Sequence, residues 1–215
     1  MQGGYSALRS NTYAYRVDDG IYINLTNQCT NACAFCIRNN GDGAYGSNSL
    51  WLEKEPSAKE TLEAVQALFF PSCKEFVFCG YGEPFMKFDV LLETAGFLKQ
   101  LYPKLPIRIN TNGHGNLICG RDVTPELAGL IDCISVSLNT SSGTEYNSLC
   151  KPVYGAKAYD AMLSFASECK KHVPKVQFSV VGDYLNKFQL AMCQAVADRA
   201  GIPLRVRTYI GKNGQ

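Results

Sequence analysis

The sequence predicts an α/β fold built from six strand–helix repeats. Short apolar runs with strand character recur along the chain, and most are followed by stretches whose apolar residues fall at helical spacing. Strands separated by helices pair in parallel through right-handed crossovers, and six repeats fall short of the eight that close a barrel. The 215 residues are 46% hydrophobic and 19% charged, an ordinary globular composition with room for one sizeable core.

Each element has its own signal. Residues 21–26 form the first strand. Ser57 caps a helix running to about Phe70, with Glu60 three positions on. Residues 75–79 are a short apolar strand, and Val90, Leu91, Ala95 and Leu98 give residues 89–101 a helical face. Residues 107–110 are the third strand, and Thr124 caps a short helix over residues 125–130. Residues 133–138 are the fourth strand, 159–171 a helix, 176–181 the fifth strand, 187–200 a helix and 204–209 the sixth strand. No internal repeat, long linker or second domain is visible, so residues 1–215 are read as one domain.

The net charge of +2 gives no nucleic-acid signal, which calls for a strongly basic face. No apolar run approaches the roughly 18 residues of a membrane span. Met1-Gln2-Gly3-Gly4-Tyr5 lacks a basic region leading into an apolar stretch, so a cytoplasmic location is expected, where thiols stay reduced. Seven of the ten cysteines (Cys73, Cys79, Cys119, Cys133, Cys150, Cys169 and Cys193) are scattered. Several are expected to be small core residues, without a disulfide framework.

The other three cysteines carry the chemistry. Cys29, Cys33 and Cys36 form a CxxxCxxC run just after the first strand, with Phe35 before the third. Thiolates hold both zinc and iron–sulfur clusters, usually four at a time. Three of them on a four-iron cube leave one iron open for a small chelating molecule, and an open position marks a catalytic metal. The zinc alternative needs a fourth ligand, and His114 and His172 are the only histidines.

The run Cys29-x-x-x-Cys33-x-Phe35-Cys36 resembles the signature of the radical S-adenosylmethionine (SAM) superfamily. Gly80-Tyr81-Gly82-Glu83-Pro84 resembles that superfamily's second motif, with Tyr81 in place of the usual glycine. Within it the chain is most similar to the small TatD-family-associated radical SAM proteins, through residues 24–38, 78–84, 108–113 and 135–139. The likeness runs over most of residues 20–208 and says little about substrate.

The resemblance implies an open parallel (β/α)6 partial TIM barrel, a single radical SAM core domain over residues 1–215. It implies that Cys29, Cys33 and Cys36 ligate a [4Fe-4S] cluster whose free iron is chelated by the methionine amine and carboxylate of SAM. Gly80, Tyr81, Gly82 and Glu83 are then placed against SAM, with Glu83 holding its ammonium group. The glycines permit close approach.

Phe35 has a flat face for adenine, or shields the cluster from water. Asn110, Asn112, Ser137 and Asn139 stand at the ends of the third and fourth strands and offer donors and acceptors to ribose hydroxyls. Each is also a residue type common in turns. Arg207 ends the sixth strand, where it meets a carboxylate of SAM or substrate, or makes an outward ion pair. Arg205 and Arg207 share a face in a regular strand. Arg38 follows the cluster loop, and the glycine-rich residues 39–49 are read as a lid.

The implied activity is reductive cleavage of SAM to a 5′-deoxyadenosyl radical that takes hydrogen from an unidentified substrate. A one-electron donor such as flavodoxin or ferredoxin is implied as partner, and a TatD-type hydrolase is expected in the same pathway. The alternatives are small-metabolite modification, as in compact 7-carboxy-7-deazaguanine synthases, activation of a glycyl-radical enzyme, or a non-catalytic iron–sulfur redox sensor.

Overall fold

A computed structural model describes residues 11–41 and 43–209. The reading of Met1–Tyr5 lies outside these residues, as does Asp42 of the glycine-rich stretch. Seven strands form one open sheet in sequence order: β1 (Ala14–Val17), β2 (Gly20–Ile23), β3 (Glu75–Phe78), β4 (Ile107–Thr111), β5 (Cys133–Ser137), β6 (Lys175–Val181) and β7 (Leu204–Arg207). Strands β2 to β7 run parallel, and these are the six expected strands. Helices α1 (Ala58–Leu68), α2 (Phe88–Leu101), α3 (Gly115–Cys119), α4 (Gly143–Cys150), α5 (Lys157–Cys169) and α6 (Lys187–Ala200) fill the crossovers.

The strand alternation assigns the two faces. Ile107 and Ile109, Ile134 and Val136, and Phe178 and Val180 are fully buried against helices that offer Leu91, Leu98, Met162 and Phe165. The residues between them (Arg108, Asn110, Ser135, Ser137 and Ser179) point the other way and line a cavity. A closed eight-stranded barrel fills its interior with branched apolar side chains. This interior is polar, so the sheet wraps a binding space.

The structure corrects several expectations. Strand β1 was absent from the sequence reading. It pairs antiparallel with β2 through a two-residue turn, with Asp18 at φ 50°, and is too short to show periodicity. Helices α3 and α4, of five and eight residues, were also missed, although Ser142 caps α4 by accepting the Glu145 N–H.

The expected helix over residues 125–130 is a 3-10 turn, Thr124–Leu127. Thr124 does not cap it, because its hydroxyl donates to the Asp122 carboxylate at 2.8 Å. The first strand stops at Ile23, where the Asn24 side chain turns to the Leu50 carbonyl at 2.7 Å. The last stops at Arg207, and the Tyr209 N–H turns to Asp183. The Ser57–Glu60 capping box forms as expected, and Asn186 with Gln189 forms another. Among the described residues no helix is long and apolar enough to cross a membrane.

Candidate functional site

A cavity of about 290 Å³ opens at the C-terminal ends of the parallel strands. In parallel α/β folds the loops after the strands carry the chemistry. Here three such loops meet: the cysteine loop after β2, the glycine–glutamate loop after β3 and the asparagine loop after β4.

The cysteine loop is sewn to α4 by main-chain bonds. The Ala32 N–H donates to the Cys150 carbonyl at 2.9 Å, and the Ala34 N–H to the Leu149 carbonyl at 3.0 Å. Cys29, Cys33 and Cys36 all line the cavity. Donors are aimed at two of the sulfurs: the Asn31 N–H at Cys29 Sγ (3.4 Å) and Arg38 Nε at Cys36 Sγ (3.3 Å). Burial pushes the Cys29 thiol up to about 12. Cys33 is also raised, first by its hydrogen bond to Cys150 and then by burial. A coordinating metal removes such protons outright.

Among the described residues, no three metal-ligating side chains stand together as a preformed set. Cys33 instead shares a hydrogen bond with Cys150. The histidines are no closer to completing a zinc shell. His114 is buried, its ring held neutral down to about pH 4 by desolvation, and it faces Thr30 Oγ1 at 3.1 Å and Tyr146 Oη at 3.4 Å. His172 follows α5 and precedes β6, at the opposite pole of the sheet.

The glycine–glutamate loop packs directly on the cysteine loop. A Cβ at Gly80 would fall on the Asn24 side chain, and one at Gly82 on the carbonyl oxygens of Thr26 and Gln28. Only glycine allows this approach, which the Glu83 N–H completes by donating to the Gln28 carbonyl at 2.8 Å. Tyr81 is buried, stacks edge-on against Trp51 at 5.1 Å and donates to the Gly41 carbonyl at 2.7 Å. The residue that departs from the motif thus fastens the glycine-rich stretch over the cavity, with Ala44 and Leu50 buried beside it.

Glu83 is 3% exposed. Its carboxylate accepts from Thr111 Oγ1 at 2.7 Å, the Asn112 N–H at 2.7 Å and the Phe85 N–H at 3.3 Å. Burial outweighs these donors and raises its pKa to about 7. A cation in the cavity restores the ionised form.

The strand-end residues divide by what already holds them. Asn112 donates to Thr30 Oγ1 at 2.9 Å and accepts from the His114 N–H at 2.9 Å, so its side chain braces the cysteine loop. Asn110 accepts from Arg108 at 2.7 Å. Asn139, in the left-handed region at φ 61°, donates to Cys150 Sγ while its Oδ1 has no partner. Asn31 Oδ1 is likewise buried and unpartnered. Both residues line the cavity, so a ligand with hydroxyl or ammonium donors fits there. Ser137 lines it with a free-facing hydroxyl, and Phe35, buried at 8% exposure, lies 5.3 Å from the Tyr184 ring.

The thirteen residues read from the sequence as cofactor- or metal-binding line this one cavity, and Arg38 lies outside its lining. Sequence reasoning missed Asn31, Cys150, His114 and Tyr15. Asn31 sits between two of the candidate cysteines and was the most legible of these. The others are brought in by α4, α3 and β1, the elements that were themselves unrecognised.

Comparison with solved structures bears on the fold. The chain resembles a radical SAM methyltransferase from Sphaerobacter thermophilus at TM-score 0.52 and 16% identity, over 91% of this chain and 68% of that one. It resembles SuiB of Streptococcus suis, solved bound to S-adenosylmethionine, at 0.57 and 17%, over 90% of this chain and 39% of that one. Methylornithine synthase (PylB) matches at 0.59 and 16%, over 90% and 54%. The chain thus spans well under two thirds of the latter two. None of the curated proteins is matched in sequence. The family model described as the Radical SAM superfamily matches residues 23–192, which contain both motifs. With that match over most of its length, the chain belongs to the radical SAM superfamily, whose enzymes use a [4Fe-4S] cluster and SAM.

Proposed function

We propose that this protein binds SAM in the strand-end cavity and abstracts hydrogen from a small substrate held deeper in the polar barrel. The carrying observation is that the three cysteines, the buried Glu83 carboxylate and the orphaned oxygens of Asn31 and Asn139 share one cavity. Cys29, Cys33 and Cys36 are the cluster ligands in this reading, and the bound cofactors supply one-electron cleavage of SAM. The residues supply the placement. Glu83 accepts from the SAM amino group, and Asn31 and Asn139 accept from donors of the bound ligand. Ser137 and Asn110 face the ribose, while Phe35 packs on the base or keeps water off the metal.

Arg38 and Asn112 act on the sulfur side, through Cys36 and Cys29. Hydrogen bonds to ligating sulfurs tune a cluster's potential. The electron donor is a flavodoxin- or ferredoxin-like protein. Membership of the TatD-associated group, with a TatD-type hydrolase nearby in the pathway, extends this reading.

The test is anaerobic reconstitution followed by assay with SAM and a strong reductant. About four iron and four sulfide per chain are expected, with slow release of 5′-deoxyadenosine. Bound zinc without iron, or a loaded and reduced protein that leaves SAM intact even with cell extract, would overturn it.

A further inference from the structure

The cavity does not end at the cofactor motifs. It continues to β7, where Arg205 and Arg207 stand two residues apart on one strand face and both line it. Among the described residues neither guanidinium makes a hydrogen bond or ion pair. Arg108, the third cation of the lining, is different: Glu75 holds it at 2.6 Å, and Asn110 takes another of its donors. Among the described residues the one acid in the lining is Glu83, which the proposed function assigns to SAM.

This leaves two guanidiniums without a hydrogen-bonded counter-charge at the β7 side of a half-enclosed space. Burial already holds Arg207 below its ordinary range, and Arg205 beside it acts in the same direction. Arg205 is exposed, so the desolvation falls on Arg207, where a partly desolvated cation without a close counter-charge favours an anion. Guanidinium forks suit carboxylate and phosphate oxygens. Between the arginines and the cofactor motifs lie the Ser137 and Ser179 side chains, register partners on β5 and β6. Tyr15 and Tyr22, with ring centroids 5.5 Å apart, form part of the same lining.

We infer that the substrate is a small anionic molecule whose carboxylate or phosphate group is held by Arg205 and Arg207. Its polar body lies over Ser137 and Ser179, towards the cofactor end of the cavity. The inference rests on the proposed SAM site, because it takes Arg207 from the SAM carboxylate and gives it to the substrate.

The test uses the reconstituted protein, anaerobic and saturated with SAM, titrated separately with inorganic phosphate and with malonate by calorimetry at low salt. At least one probe should bind; phosphate alone marks a phosphorylated substrate and malonate alone a carboxylate. Arg205→Gln and Arg207→Gln should each weaken that binding by about tenfold, as expected for loss of a charge-assisted bond. Arg207→Lys, which keeps the charge and loses the fork, should fall between, and it serves if the glutamine variant does not fold. Failure of both probes to bind overturns the inference, as does equal binding by the variants. A tenfold loss of SAM affinity in Arg207→Gln, measured before any anion is added, also overturns it. If the wild-type protein binds no SAM, the cofactor reading fails, and the two titrations on the same sample still decide the anion site.

Discussion

Glu83 accepts the main-chain N–H of Asn112 at 2.7 Å, so the buried carboxylate after β3 is fixed by the backbone after β4. The Asn112 side chain in turn donates to Thr30, next to Cys29. The candidate SAM anchor and the candidate cluster loop therefore share one brace, and a change at either is felt at the other.

Replacing Glu83 by Gln removes the charge and keeps the shape. A bond to a charged group contributes about 1.5–3 kcal/mol. SAM affinity should fall roughly tenfold to a hundredfold at ~1.4 kcal/mol per decade. Iron content should hold, because Glu83 is not a proposed ligand. Calorimetry and iron analysis on the same preparation check both; unchanged affinity means the loop is only a turn.

SAM affinity should depend on pH through the same group. The Glu83 pKa is about 7 in the ligand-free site, raised by burial, and hydrogen bonds donated by the SAM amino group favour the ionised form. The Glu83 contribution to affinity should rise with pH up to about 7 and level off above it, losing about tenfold per unit on the acid side. Titrations between pH 6 and 8.5 check this. The Glu83→Gln profile should be shallower below pH 7, and a wild-type profile identical to it would remove Glu83 from the amino-group site.

Two glycine substitutions should move stability in opposite directions. In Gly82→Ala the new methyl meets the Thr26 and Gln28 carbonyl oxygens, so the cysteine loop must shift, lowering both Tm and reconstituted iron. In Gly96→Ala, inside α2 with nothing within 4 Å of the added Cβ, the helix gains about 0.5–1 kcal/mol. For a chain of this size that is a rise of roughly 1–4 °C in Tm, readable by circular dichroism.

Cysteine variants should sort by role. Alanine at Cys29, Cys33 or Cys36 should abolish iron binding on reconstitution. Cys169→Ala should leave it intact, since that thiol is fully buried in the core. Cys150→Ala should also keep the iron although its thiol shares a hydrogen bond with Cys33, because Cys150 is not a proposed ligand. Loss of iron in Cys150→Ala would make it a fourth ligand and close the open position.

The sequence was legible where one local rule decided the outcome. Six strands, the Ser57–Glu60 cap and the two motifs each announce themselves within a few residues. Strand β1 exists because β2 offers it an edge and because Tyr15 and Val17 pack with Leu50 and Tyr81, contacts across long sequence distances. Cys150 reaches Cys33 only through α4, a helix with little apolar periodicity. The unmet oxygen of Asn139 is invisible in a string of letters, since it is defined by what surrounds it. The anion reading of Arg205 and Arg207 likewise depends on no carboxylate standing opposite among the described residues, which only packing reveals.

Strand order that follows chain order has a consequence for synthesis. Every strand pairs with its predecessor, so no late segment has to be threaded between earlier ones. Each βα unit can dock on its neighbour as it leaves the ribosome, which keeps loop-closure costs small and exposed edges short-lived. The cysteine loop is laid down with β2, long before the chain is finished. Tyr209, whose hydroxyl donates to Asn40 at 2.9 Å across 169 residues, brings the far edge back over that loop at the end. Cluster insertion thus has a natural window on the nascent chain, while the mouth of the barrel is still unlatched.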